Sequence, residues 1–203
     1  MRSDPPGWMT PPAWMTGQLA DHLATAEAMT ALLPRVTAVA ELLVETFGGG
    51  RSVWTFGNGG SAADAQHLSG ELLGHYKRDR RPLPCLTLGT DAVVTTCTAN
   101  DYDFDDVFAR QVSAVTRPGD VVCAFSTSGR SANVVNGLRA AQANQAVTVM
   151  FGGRDGGPAV AFCDHALIAP SHATARIQEM HTLMLHMISE HVDAWAAGEE
   201  PSR

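Results

Sequence analysis

Twice in this chain a short β-prone run passes through a small polar loop straight into a helical pattern, and that repeat restricts the fold more than any other feature. In the first unit Val53-Trp54-Thr55-Phe56 reads as a buried strand, Gly57-Asn58-Gly59-Gly60-Ser61 as the loop, and 62–76 as the helix. In the second, 121–125 follows a Pro118-Gly119 turn signal and runs into Ser126-Thr127-Ser128-Gly129-Arg130-Ser131. Beyond that loop Val134, Val135, Leu138 and Ala141 recur at helical spacing over 132–143. Further strands are expected at 85–88 and 146–151, with a weak edge strand at 166–168. Helices are expected over 18–47, 104–115 and 174–197, Pro34 breaking or kinking the first and Gly48-Gly49-Gly50 ending it. Such alternation predicts an α/β chain whose parallel sheet is covered on both faces, with ligands at the carboxyl ends of the strands. Both loops fall at such ends.

The second loop has the chemistry of a phosphate cradle. At a helix N-terminus the first N–H groups lack partners and the macrodipole is positive, so a dianion is stabilised there, and hydroxyls complete its shell. Four hydroxyls in six residues exceed the needs of one cap, although capping by Ser131 or Ser128 would account for part of them. The glycine loop has neither GxGxxG spacing nor the Gly-Lys-Ser/Thr of a P-loop, so no dinucleotide or nucleoside triphosphate is implied. Its glycines give a ligand room to approach the backbone, Asn58 offers an amide, and Ser61 a hydroxyl. On the helix that follows, His67 and Glu71 stand one turn apart on one face, a spacing that suits a shared divalent metal, an acid/base pair or a plain surface couple. The last helix carries Arg176, Gln178, Glu179, His181, His186, Glu190 and His191 among its apolar positions. Gln178 and His186 lie about 12 Å apart along such a helix. Spacing alone pairs Gln178 with His181 and leaves the choice among the histidines open.

Composition sets the outer bounds. With 203 residues, 45% of them hydrophobic, the chain can bury the core of one domain, expected over 17–197 between a Pro-rich arm at 1–16 and a disordered tail at 198–203. A net charge of −7 argues against nucleic acid, and the one basic cluster, Lys77-Arg78-Asp79-Arg80-Arg81, reads as a solvated loop or a few contacts to an anionic substrate. No apolar run approaches the roughly 20 residues that span a bilayer. Cys85, Cys97, Cys123 and Cys163 form no CxxC pair and no secretory leader is visible, so they are expected as reduced, buried thiols of a cytoplasmic protein.

Taken together, Phe56 to Ser61, His67-x-x-x-Glu71, Ala99-Asn100-Asp101-Tyr102, Ser126 to Ser131 and Arg176 to His181 resemble the phosphoheptose isomerase branch of the sugar isomerase (SIS) domain family. The resemblance covers about 19–192. It implies a three-layer fold with a five-stranded parallel sheet, flanking helices and long terminal helices, assembled as a homotetramer with active sites between subunits. It implies conversion of sedoheptulose 7-phosphate to D-glycero-D-manno-heptose 7-phosphate through an enediol, the first step towards nucleotide-activated heptose. By the same resemblance one Zn2+ per subunit is held by His67, Glu71, Gln178 and His186, and Glu71 and His186 are the acid/base groups. Substrate contacts are matched by Asn58, Gly59, Ser61, Glu71, Asn100, Asp101, Ser126, Thr127, Ser128, Ser131 and Gln178, with Arg176 a further candidate. Two positions depart from the family pattern: Arg130 stands for the more usual Asn and Phe56 for a frequent Cys. A longer substrate, such as an octulose 8-phosphate of an antibiotic pathway, would use the same residues. A catalytically silent relative that binds the replication initiator DnaA resembles the 176–181 stretch too. That relative usually lacks the groups matching Glu71 and His186, and this chain has both.

Overall fold

Strand β3 (Val121–Ser126) is buried at all six positions and lies at the centre of a five-stranded parallel sheet. The order is β2-β1-β3-β4-β5, with β1 Val53–Gly57, β2 Cys85–Thr87, β4 Val147–Gly153 and β5 His165–Ala169. These are the coordinates of a computed structural model, which describes residues 10–201. Side chains alternate across the sheet as a pleated strand requires. Val121, Cys123 and Phe125 enter one core and Val122 and Ala124 the other. Apolar residues on both faces are why these strands read as continuous runs.

The first core is closed by α2 (Leu33–Gly48), α3 (Gly60–Leu73) and α7 (Thr174–Ala197), with α1 (Ala13–Ala28) resting on α7. The second is closed by α5 (Val107–Val115) and α6 (Ala132–Ala143). Between β2 and α5 lies α4 (Ala92–Asp101), a helix the sequence pattern conceals. Its residues, Ala-Val-Val-Thr-Thr-Cys-Thr-Ala-Asn-Asp, carry no apolar stripe. Asp91 starts it instead, its carboxylate accepting the N–H groups of Val93 and Val94.

Other boundaries move for local reasons. Pro34 does interrupt the long N-terminal pattern: a 3-10 turn at Met29–Leu32 separates α1 from α2, and Pro34 sits in the first turn of α2, where a missing N–H costs nothing. Helix α1 begins at Ala13, inside the segment expected as an arm; the arm's residues 1–9 lie outside the described residues. At the other end Gly198 closes α7 in the left-handed conformation, and Glu199 accepts a hydrogen bond from Arg78, which anchors the start of the expected tail. Residues 202–203 lie outside the described residues. Cys97 is exposed rather than buried, and Cys163 is half-buried.

Within the basic cluster Lys77, Asp79 and Arg81 are exposed, as expected of a solvated loop, but Arg80 is not. The Arg80 side chain is only 1% exposed and donates to Asp193 Oδ1 on α7 at 3.0 Å. It also donates to the carbonyls of Glu71, Leu72 and Gly74 at 2.6, 2.8 and 2.9 Å, the unpaired oxygens at the end of α3. Asp193, itself 1% exposed, accepts the successive N–H groups of Tyr76, Lys77 and Arg78 at 3.2, 3.1 and 2.9 Å. Burial pushes its carboxyl up, but donation by Lys77, Arg78, Tyr76 and Arg80 outweighs this and holds it below the ordinary carboxylate value. This claim on the C-terminal carbonyls ends α3 at Leu73, short of the expected 76.

Removing one member of a buried ion pair leaves the other charge stranded, so Asp193→Ala is expected to destabilise the fold by ~3–5 kcal/mol in urea unfolding. Loss of less than ~1 kcal/mol would show that the pair does not clamp α3 to α7.

Candidate active site

Two structural units converge where β1 and β3 end. Gly59, at positive φ, turns the chain from β1 into α3, and Gly129, also at positive φ, turns the loop after β3. The turns are joined by a reciprocal amide pair: Asn58 Nδ2 donates to Asn133 Oδ1 at 2.8 Å, and Asn133 Nδ2 to Asn58 Oδ1 at 3.0 Å. Between them opens a cavity of about 210 Å³ lined by Asn58, Ser61, Ser126, Thr127, Ser128, Ser131, Thr174 and Gln178. Capping does not consume these hydroxyls. Ser131 occupies the N-cap of α6 without making a side-chain cap bond, and Ser128 accepts only the Arg130 N–H in a local turn. Ser126 accepts the Gly129 N–H at 3.1 Å, which fixes the loop against the strand end. Hydroxyls and the first turn of α6 therefore converge on one small polar hollow, the arrangement that takes a phosphate.

Gly129 has no alternative at its position, because a Cβ there would lie 1.8 Å from the Gly156 carbonyl oxygen. Gly60 is tight for a different reason: a Cβ would lie 2.4 Å from Gln178 Nε2, so the Gln178 amide rests on the first turn of α3.

Further along α3 and α7 the structure gathers a second cluster. His67 Nε2 lies 3.0 Å from Glu71 Oε1 and 3.2 Å from His186 Nε2, and ligand atoms of all three fall within 4.8 Å of one another. Two imidazole nitrogens and a carboxylate oxygen aimed at one point form the His2Glu donor set that suits zinc with a position left open. Burial first, and then the neighbouring His67, lowers the His186 imidazole below its ordinary value. That favours the neutral ring, the form that offers a lone pair to a metal or a proton.

The other expected residues are distributed as follows. Gln178 lines the hydroxyl cavity, about 12 Å along the helix axis from His186. Of the four-residue metal set, His67, Glu71 and His186 have ligand atoms within 4.8 Å of one another. Gly59 lines an adjoining hollow with Asn58. Asn100 and Asp101 sit exposed at the end of α4, where Asn100 and then Cys97 donate to Asp101 and hold its carboxyl below the ordinary value. Arg176 is turned towards α1, donating to the Gln18 carbonyl and pairing with Glu179. His181, the partner that helical spacing favours for Gln178, is fully buried against the Gly152 carbonyl at 3.0 Å.

Sequence reasoning misses Asn133 and Tyr76. Asn133 is the second residue of α6, and a polar side chain there beside a hydroxyl-rich loop was a usable signal. Tyr76 stacks on His186 at 5.7 Å between ring centroids, and nothing in its sequence context points to that contact.

The fold and the sequence are shared with known proteins. The SIS domain family matches residues 20–153. A phosphoheptose isomerase of a Roseiflexus species is 48% identical over 79% of this chain and 81% of its own length. The solved phosphoheptose isomerase of Neisseria gonorrhoeae is 37% identical, with a TM-score of 0.83 over 88% of this chain and 96% of that one. The corresponding enzyme of Francisella tularensis gives 30% identity and a TM-score of 0.86 at the same coverage. The chain belongs to the SIS domain family and, within it, to the phosphoheptose isomerases, which are enzymes of the aldose–ketose isomerase class.

Zinc titration against a chromophoric chelator is expected to show one ion per chain. Loss of a partner outside the ligand shell typically costs about 10- to 100-fold in metal affinity, so the ligand variant His67→Ala should lose more than about 100-fold. Equal affinity in that variant would remove the cluster as a metal site. Gly129→Ala is expected to abolish binding of a sugar phosphate, read by calorimetry, because neither the positive φ nor the Gly156 carbonyl can accommodate the methyl group.

Proposed function

We propose that this chain converts sedoheptulose 7-phosphate to D-glycero-D-manno-heptose 7-phosphate, with zinc at His67, Glu71 and His186. The observation that carries this reading is that the first turns of α3 and α7 border the hydroxyl cradle after β3, while the same two helices carry the acid/base cluster further along. Ser61 in the cradle and His67 in the cluster are six residues apart on α3, a rise of about 9 Å. A seven-carbon chain with a terminal phosphate reaches about 10 Å from C1 to phosphorus, at roughly 1.5 Å per bond. A substrate whose phosphate sits in the cradle therefore presents C1 and C2 near Glu71 and His186.

The chemistry needs one proton removed from C1 and one delivered to C2, with an enediol between them. Glu71 is the candidate base: its side chain is 18% exposed, and His67 lies beside it at 3.0 Å. His186, kept neutral by burial and by His67, is the group suited to moving protons between the two oxygens. A bound zinc ion would supply Lewis-acid polarisation of the substrate carbonyl. Ser126, Thr127, Ser128 and Ser131 hold the phosphate, so the remote end of the sugar fixes the reacting end.

A homotetramer with sites between subunits fits the outside of the protomer. Trp14, Leu19 and Leu23 on α1 are 67%, 60% and 60% exposed, and Val93 on α4 is 77% exposed. Apolar side chains gathered on helix faces in this way suit burial by another copy. A phosphorylated sugar, which carries a charge that does not cross a bilayer unaided, supports a cytoplasmic location as part of this proposal. No helix among the described residues is long and apolar enough to cross a membrane.

Purified, zinc-loaded protein incubated with sedoheptulose 7-phosphate in D2O is expected to form the aldoheptose 7-phosphate with deuterium at C2. Glu71→Gln and His186→Ala should each slow turnover by about 10²- to 10⁴-fold, the usual worth of a positioned acid or base. Turnover of an octulose 8-phosphate in place of the heptulose would move the assignment to a longer sugar, and retention of full turnover in Glu71→Gln would remove its catalytic role.

A further inference from the structure

The ion-pair network behind the site ends on an aromatic ring that no step above uses. Arg80 donates to the carbonyl of Glu71 at 2.6 Å and to the carboxylate of Asp193 at 3.0 Å. Asp193 in turn accepts the Tyr76 N–H at 3.2 Å and the next two N–H groups, which sets the direction in which the Tyr76 side chain leaves the backbone. The Tyr76 ring lies over the His186 imidazole, with centroids 5.7 Å apart and planes inclined by 24°. The stack covers one side of the imidazole, and the ring meets His67 edge-on at 4.8 Å, with the two Nε2 atoms 3.2 Å apart. Lys77 adds to the same assembly: its ammonium group lies 5.0 Å from the Tyr76 centroid and is tied to Glu190 at 2.9 Å.

We infer that Tyr76 is a positioning residue whose ring face, held by the Arg80–Asp193 pair, orients His186 towards His67 and Glu71. The inference rests on the functional reading above for what His186 does, and on geometry alone for what holds it. One buried arginine thus fixes both members of the acid/base pair, Glu71 through its carbonyl and His186 through Tyr76. Because the contact is the ring face and not the hydroxyl, phenylalanine should replace tyrosine and a small side chain should not.

The test compares full-length wild type, Tyr76→Phe and Tyr76→Ala, each loaded with zinc. Zinc affinity is measured by chelator competition, kcat and KM with sedoheptulose 7-phosphate, and Tm by calorimetry. Tyr76→Ala is expected to bind zinc about 10- to 100-fold more weakly and to lose a similar factor in kcat. Its KM should stay within about twofold, since the cradle that binds the phosphate is untouched. Tyr76→Phe should recover both losses, and the three melting points should agree. Wild-type zinc affinity and kcat in Tyr76→Ala, or equal losses in Tyr76→Phe, would overturn the inference. If Tyr76→Ala does not fold, Tyr76→Leu takes its place, with bulk but no ring face. Should wild type bind zinc yet turn over no heptose phosphate, the functional reading falls and the zinc comparison alone decides the role of Tyr76.

Discussion

The contact between α3 and α7 is the constraint on which the rest of this molecule depends, and Arg80 with Asp193 is its clamp. Both side chains are almost wholly buried, a placement that is tolerable only because every charge and polar edge is used. Arg80 satisfies three carbonyls at the end of α3, and Asp193 satisfies three consecutive N–H groups of the loop that leaves it. The pair thereby sets where α3 stops, how the 75–81 segment returns to β2, and the height of α7 against α3. Without that height His186 would not meet His67.

Binding and chemistry are separated along these helices. The cradle proposed for phosphate lies at the carboxyl ends of β1 and β3, where the topology of a parallel sheet leaves helix N-termini and glycine turns pointing at the same space. The cluster of His67, Glu71 and His186 lies about two to three turns further along the helix layer, away from the strand ends. That offset matches the length of a sugar, and α3 and α7 bridge it, since their first turns border the cradle and their later turns carry the cluster. Neutrality of His186 is a by-product of the same packing, because burial beside another imidazole disfavours a second positive charge.

Much of this was legible in the residues. The central strands β1, β3 and β4 were found because strands covered on both faces are mostly apolar, and β3 with its hydroxyl loop could be placed from Pro118-Gly119 onwards. The Pro34 break followed from the missing N–H. Helix α4 was not legible, since it lies against the surface without an apolar stripe and depends on Asp91 for its start. The burial of Arg80 was hidden for a related reason. Its neighbours Lys77, Asp79 and Arg81 are exposed, charge in sequence carries no sign of its partners, and the carboxylate that Arg80 meets lies 113 residues away.

The sequence by itself determined the α/β alternation, the concentration of hydroxyls in the loop from Ser126 to Ser131, and the local pairing of His67 with Glu71, since each depends on neighbours within a few positions. Helical spacing left the histidine of α7 open and favoured His181 beside Gln178; the family resemblance pointed to His186, and the tertiary structure supplied the physical ground for it. Packing places His181 against the Gly152 carbonyl in the core and turns His186 towards α3. The reason is physical: a helix fixes the angle between its own side chains, but the register of one helix against another is set by buried contacts between residues remote in the chain, here Arg80 and Asp193.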